Sequence, residues 1–146
     1  MEKDKREYDD LIKAFKTLGF SEEEQKAIHS ITAASLHIGE LVLDNSTYVE
    51  TKTPVSIKNK DKLKQVADLL GIKNPSRLEE EIVNKEAIKG ISTRTPLRPD
   101  DVEDSVKTLA KALYNNMFDW LVKKMNIEIL PDDIKSGDEG DIQKFD

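Results

Sequence analysis

The sequence contains no cysteine among its 146 residues. This absence excludes a disulfide framework and a thiolate metal site, and it is typical of proteins in a reducing compartment. No apolar run approaches the roughly 18 residues of a membrane span. The N-terminal segment MEKDKREYDD also lacks the apolar stretch of a signal peptide. We therefore expect a soluble, intracellular protein without a membrane partner.

The chain also has fewer basic than acidic residues: it contains 23 lysines and arginines and 29 aspartates and glutamates, which gives a net charge of -6. Such a balance argues against a general nucleic-acid or membrane-surface binder. Hydrophobic residues make up 37% of the chain and charged residues 36%. These proportions predict one domain with a modest core and a heavily charged surface.

The sequence offers no catalytic or metal-binding constellation. Its six glycines are scattered singly, so the chain has no G-x-x-x-x-G-K-[S/T] loop for nucleotide phosphates. Adjacent acidic residues fall at predicted helix starts and on solvated faces, where they act as caps and not as a matched acid and base. His29 and His37 would lie about 12 Å apart on one helix, too far to share a metal. We expect His37 to be a packed, hydrogen-bonded residue.

Five segments carry apolar residues at intervals of three and four, the period of an α-helix. Gly19 ends the first of them, because glycine accepts the left-handed conformation that closes a helix. The second opens with Ser21 and Glu24, which form a capping-box pattern. Helices are predicted at 5–18, from the capping box to Ile38, at 59–70, at 75–85, and from Pro99 to about 127.

Two segments lose the helical period and favour extended structure, residues 44–58 and 87–98. Pro54 limits any strand in the first segment to a sheet edge, and Gly90 marks a bend in the second. The sequence thus predicts a mainly α fold. We expect a helical subdomain around a long, central C-terminal helix, with short extended segments or a β-hairpin at about 44–58 and 87–98. Residues 128–146 are predicted to form an acidic loop or tail.

The last predicted helix contains the stretch LAKALYNNMFDWLVKKMN, residues 109–126. Pro99 and the acidic Asp100–Asp101 pair suit its N-terminus. Its apolar residues recur at helical spacing and predict one continuous buried face. The predicted core positions of this helix are Leu109, Leu113, Met117, Phe118, Trp120 and Leu121.

Four motifs resemble those of a known family: LGFSEEEQKAIHSITAASLHIGEL, then VADLLGI, then STRTPL, then LAKALYNNMFDWLVKKMN. They occur in the order found in the myosin motor head. There the pattern resembles LGFS-x-E-E-x-x-x-I-x-x-I-x-A-A-x-L-H-L-G-x-I, A-x-L-L-G-V, a loop ending in K-P-L, and D-A-L-A-K-A-L-Y-x-x-L-F-x-W-L-V-x-x-I-N. The match covers most of residues 8–127. It implies that residues 1–127 form part of the upper subdomain of the actin-binding cleft, with the last helix as its central helix and residues 128–146 leading to a strand.

The resemblance also implies an actin contact, since residues 87–98 fall where the family has its cardiomyopathy loop, which touches actin. Lys89, Arg94 and Arg98 give this stretch a local charge of about +2 against Glu86, which would steer it towards acidic residues. The expected actin-binding residues are Lys89, Ser92, Thr93, Arg94, Thr95 and Arg98. From charge alone, an ordinary solvated hairpin is the alternative.

Ser92 and Thr93 are candidate phosphorylation sites in this loop. Many myosins carry an acidic or phosphorylatable residue about sixteen positions before the D-A-L-A-K motif. In this chain that motif is degraded to residues 107–111, and counting back reaches Ile91. The regulatory residue is therefore not in register with the family pattern.

The segments that would bind nucleotide in this family are absent from the chain. Neither a P-loop, nor a first switch of the N-x-x-S-S-R-F-G-K type, nor a D-I-x-G-F-E switch occurs. The resemblance implies a parent protein that is an actin-activated motor using ATP and magnesium. We expect no cofactor and no catalysis in this segment alone, and we expect the actin filament and the remainder of the myosin head as its partners. The alternative is a stand-alone helical interaction module without motor activity.

Overall fold

A computed structural model of the chain describes residues 2–50, 52–88 and 91–130. Its elements follow in the order α1 (Glu2–Thr17), α2 (Glu22–Ile38), β1 (Leu43–Asp44), β2 (Ser56–Ile57), α3 (Lys60–Leu69), α4 (Pro75–Val83), β3 (Asn84–Ile88), β4 (Ile91–Pro96) and α5 (Pro99–Ile129). Helices dominate, and the strands form two antiparallel pairs, β1–β2 and β3–β4. The predicted mainly α fold class is confirmed. The start of the predicted tail is helical, because α5 ends at Ile129, and residues 131–146 lie outside the described part.

The corner between α1 and α2 follows the capping signals in the sequence. Gly19 has a φ of 69°, the left-handed conformation that is common just past a helix end. The Ser21 backbone N–H donates to Glu24 Oε2 (2.8 Å), and the Glu24 N–H donates to Ser21 Oγ (3.2 Å). The predicted capping box is thus confirmed, and it fixes the start of α2.

The chain divides into two compact units. The terminal unit comprises the described residues up to His29 and from Asn115, and the internal unit comprises Ser30–Tyr114. The core of the internal unit is an aliphatic cluster formed by Ile38, Val55, Ile57, Leu63, Val66, Ala67, Leu78, Ile82, Val83, Val102 and Val106. Leu109 and Leu113, two predicted core positions of α5, pack against this cluster.

The small sheet of the internal unit is tied to α4 by one acidic side chain. β1 and β2 pair antiparallel, with Leu43 opposite Ile57. The Glu79 carboxylate on α4 accepts hydrogen bonds from the Ile57 backbone N–H (2.7 Å) and from Lys60 Nζ (2.5 Å). Glu79 therefore links α4 to β2 and to the first residue of α3.

The end of α4 differs from the prediction. The helix stops at Val83, before the predicted end at residue 85, and Asn84 is extended with φ -126° and ψ 159°. Asn84 instead begins β3 and pairs with Pro96 of β4. The hairpin ladder thus overrides the local helical pattern, because it supplies the backbone groups with hydrogen-bond partners. At the other end of α4, Asn74 Oδ1 accepts from the Ser76 N–H (3.1 Å), where the sequence predicts the helix start.

The predicted core face of α5 needs correction at one position. Met117 is buried, and Trp120 and Leu121 are half-buried, whereas Phe118 is 50% exposed. Residues two positions apart on a helix point about 200° apart. Phe118 therefore cannot share the side of α5 on which Trp120 meets Phe20, with ring centroids 6.0 Å apart.

Candidate protein-interaction hairpin

The β3–β4 hairpin occupies the stretch for which the sequence predicts an interaction loop. Its register pairs Asn84 with Pro96, Lys85 with Thr95, Glu86 with Arg94, and Ile88 with Ile91. The pairing is irregular between Glu86 and Ile88. The Leu97 backbone N–H donates to the Val83 carbonyl (2.9 Å), which extends the pairing to the end of α4. The hairpin therefore follows α4 directly and is part of the internal unit.

The predicted contact residues have different positions in this hairpin. Lys89 lies outside the described residues. Ser92 and Thr93 lie in β4, and Thr95, in the same strand, is half-buried. The two arginines of the predicted set, Arg94 in β4 and Arg98 just before α5, are exposed and described in full.

Arg94 already has an acidic partner within the chain. Its Nη2 donates to Glu81 Oε1 on α4 at 2.5 Å. Their side chains retain 37% and 52% exposure, so the pair lies at the surface. This hydrogen bond lowers the pKa of Glu81 and raises that of Arg94. Both groups are therefore charged at neutral pH and neutralise each other.

Arg98 is paired as well. Its Nε donates to Asp101 Oδ2 (2.9 Å) and its Nη2 to Asp101 Oδ1 (3.2 Å), a two-point contact in the first turn of α5. These hydrogen bonds lower the pKa of Asp101, and the charge of Lys85 adds to the effect. The Asp101 carboxylate thus has both Arg98 and the positive end of the helix dipole as neighbours.

The two ion pairs correct the electrostatic picture drawn from the sequence. The predicted local charge of about +2 counted Arg94 and Arg98 as available cations. In the structure, Glu81 and Asp101 each compensate one of them. The spacing of Arg98 and Asp101 at positions i and i+3 could have indicated the second pair. The first pair joins a helix to a strand thirteen residues later, and no local pattern predicts it.

A cavity of about 340 Å³ lies near the base of the hairpin, inside the internal unit. Its lining includes the last residues before β3, Val83 and Asn84, together with side chains of the β1–β2 connection and of α4. Apolar surface makes up most of its lining, and hydroxyl groups and the Glu79 and Glu80 carboxylates supply the polar part. Across the described ranges, no three histidine or acidic side chains come together as a metal site would require.

His37 is hydrogen-bonded, as predicted. Its Nδ1 lies 3.0 Å from Glu40 Oε2 and 3.3 Å from Lys62 Nζ, and Lys62 Nζ lies 2.8 Å from the same Glu40 oxygen. The hydrogen bond from Lys62 and the one with His37 lower the pKa of Glu40. This cluster joins the end of α2 to α3 and is a structural tie.

Within the terminal unit, the C-terminal part of α5 is attached through the Glu24–Lys124 ion pair and through aromatic rings that meet edge to face. Lys124 Nζ donates to Glu24 Oε1 (2.6 Å) and lies 5.3 Å from the centre of the Phe20 ring. Phe20 meets Phe15 edge to face at 5.1 Å and Trp120 at 6.0 Å. Glu24 therefore serves both the capping box of α2 and the attachment of α5.

None of the described helices has the length and apolar character needed to cross a membrane. Comparison with protein families gives one assignment: the family described as myosin head (motor domain) matches residues 1–138. The match includes the whole β3–β4 hairpin and all of α5.

Curated relatives agree with this match. The chain is 36% identical over 127 residues to the myosin-I heavy chain of Dictyostelium discoideum, covering 86% of the chain and 5% of that protein. It is 40% identical over 116 residues to the high molecular weight form of myosin-1 of Acanthamoeba castellanii, covering 77% of the chain and 7% of that protein. It is 36% identical over 131 residues to myosin-5 of Arabidopsis thaliana, covering 86% of the chain and 8% of that protein. The chain thus spans less than a tenth of each relative.

Proposed function

The chain belongs to the myosin head (motor domain) family, and we propose that it supplies such a head with an actin-contacting hairpin and a long packed helix. The observation that carries this proposal is the family match over residues 1–138, within which β3 and β4 pair antiparallel. The hairpin lies in the stretch where the sequence resemblance leads us to expect the actin-touching loop of the family. The protein that carries the chain would then be a cytoplasmic motor associated with the actin cytoskeleton.

The proposed actin contact is the hairpin with its flanking arginine. Lys89, Ser92, Thr93, Arg94, Thr95 and Arg98 remain the proposed contact residues. Arg94 lies in β4 and Arg98 directly precedes α5, and both are exposed, which favours them as contacts. Their ion pairs do not exclude this role, because an exposed ion pair is weak and a partner can displace it.

We propose that α5 is the helix on which the head relies to hold these elements in place. It is a single helix of 31 residues. Val102 and Val106 belong to the aliphatic core of the internal unit, and Lys124 binds Glu24 within the terminal unit. One helix therefore contributes to the packing of both units.

ATP hydrolysis belongs, in this proposal, to the parent motor and not to this segment. The chain lacks the phosphate-binding loop and both switch motifs, which are the motifs that would hold nucleotide and magnesium in this family. The parent protein would supply these groups from other parts of the head. The role of this segment would be contact and support.

The test uses the endogenous protein that carries this sequence. An antibody raised against the 146-residue chain should detect a protein far larger than 16.6 kDa. That protein should sediment with filamentous actin in the absence of nucleotide and leave the filaments when magnesium and ATP are added. Detection of a 16.6 kDa protein that does not sediment with filamentous actin would support the alternative, a stand-alone interaction module.

Phosphorylation of Ser92 or Thr93 is a secondary proposal. A phosphate there would add almost two negative charges within two residues of Arg94. Mass spectrometry of the hairpin peptide from the endogenous protein tests it directly. Ile91 occupies the position that the family regulates, and detection of only the unmodified hairpin peptide would remove this proposal.

A further inference from the structure

We propose that Glu81 is an internal competitor for Arg94, which limits the affinity of the β3–β4 hairpin for an acidic partner surface. This inference rests on the proposed function, in which the partner is the actin filament. It adds a residue on α4, outside the predicted loop, that sets how strongly the loop binds.

The geometry of the pair fits a competitor. Glu81 Oε1 and Arg94 Nη2 are in hydrogen-bond contact, and both side chains keep substantial exposure. The contact joins one nitrogen of the guanidinium to one oxygen. A partner carboxylate could therefore approach the same fork from solvent and take over the contact, since guanidinium groups bind carboxylates with two parallel hydrogen bonds.

The surroundings of Arg94 strengthen this competition. Glu86 lies directly opposite Arg94 in the hairpin register, and the charges of Glu80 and Glu86 act on Arg94 in addition to that of Glu81. Arg77 is the further cation that acts on Glu81. An acidic surface approaching the hairpin thus meets three carboxylates around one arginine, and like charges across an interface oppose association.

The consequence is an equilibrium between a masked and a released Arg94. A partner that needs the released form binds with an apparent affinity reduced by the fraction in which Arg94 is released. Because exposed ion pairs are weak, the reduction is modest, and Glu81 tunes binding without blocking it.

The experiment measures cosedimentation of the full motor protein with filamentous actin, without nucleotide and at low ionic strength. Glu81→Gln removes the competitor and keeps the shape of the side chain. Glu80→Gln is the matched control, because it removes the same charge from the neighbouring residue of α4, which acts on Arg94 through charge alone. Arg94→Gln and the double variant Glu81→Gln/Arg94→Gln complete the cycle.

We expect Glu81→Gln to raise the affinity for actin about two- to fivefold, the range of a weak exposed ion pair, and to exceed the effect of Glu80→Gln. In the Arg94→Gln background, Glu81→Gln should gain no more than Glu80→Gln does. Circular dichroism should show the same helix content in all variants, since these side chains lie at the surface.

Two results overturn the inference in distinguishable ways. If Arg94→Gln weakens binding but Glu81→Gln and Glu80→Gln have equal effects, the competitor role fails and the proposed actin contact stands. If Arg94→Gln leaves the affinity unchanged, the proposed contact through Arg94 fails, and the competitor role fails with it.

Discussion

The internal unit and the terminal unit each have their own core, and the two cores are built from different kinds of contact. The internal unit packs eleven buried aliphatic side chains into one cluster. The buried hydrophobic residues found in the described part of the terminal unit are Phe15, Phe20, Ile28 and Met117, supplemented by Trp120 and the Glu24–Lys124 ion pair. A core of many small contributions should tolerate the loss of one better than a core built on a few rings.

The largest expected effect comes from removing the ring at the centre of the terminal unit. Phe20→Ala should lower the free energy of unfolding by about 3–5 kcal/mol, the usual cost of truncating a buried aromatic residue. The ring is 5% exposed and meets Phe15, Trp120 and Lys124. Urea denaturation measures the loss. Phe118→Ala, at a residue that is 50% exposed, is the control and should cost much less.

Truncation of a buried leucine tests whether the aliphatic core of the internal unit tolerates the loss of one side chain better. Leu63→Ala should cost about 2–5 kcal/mol, towards the lower end if the surrounding aliphatic side chains relax into the space. Leu36→Ala, at a side chain that is 69% exposed, is the matched control for the same chemical change. A larger loss for Leu63→Ala than for Phe20→Ala, measured in the same urea series, would reverse the comparison.

Removing the ion pair of the terminal unit should have a smaller effect. Lys124→Met keeps the aliphatic stem against Phe20 but removes the contact with Glu24, whose side chain is 28% exposed. We expect a loss of about 1–2 kcal/mol, because the pair is partly shielded from water. Lys123→Met, at an exposed position of the same helix, should change stability little. Equal effects of the two variants would show that the ion pair contributes nothing.

The smallest effect concerns pH. Burial raises the pKa of Glu24, but the hydrogen bonds from Lys124 and Ser21 outweigh it, and the pKa is lowered from 4.5. A lowered folded-state pKa means that the carboxylate stabilises the fold fully above pH 4.5 and loses this contribution as the pH falls through the folded value. Wild type should therefore lose up to about 1 kcal/mol more than Glu24→Gln between pH 6 and pH 3. Parallel pH profiles of the two proteins would contradict this.

Features that depend on neighbouring residues could be predicted from the sequence. The helical period located five helices, and Ser21 with Glu24 located the start of α2, because a capping box is complete within four residues. The end of α4 could not be predicted, since the helical pattern continues past Val83 and only the distant partner strand converts Asn84 to an extended residue.

The candidate site shows the same division. The hairpin was predicted from its extended residues and from the family resemblance, and β3–β4 lies there. The state of its arginines was not predicted, because the partner of Arg94 comes from α4 and depends on how strand and helix pack. Phe118 was misassigned for a related reason: an apolar residue on a helix does not reveal which side of that helix is covered.

The Glu79 side chain has a consequence for how the molecule behaves at high concentration. The Glu79 carboxylate accepts a hydrogen bond from the Ile57 backbone N–H, which points away from β1 towards the open edge of β2. A backbone N–H without a hydrogen-bond partner on such an edge can pair with a strand of another molecule. Glu79 fills that position with a charged oxygen, and so it closes this edge of the β1–β2 sheet to such an addition.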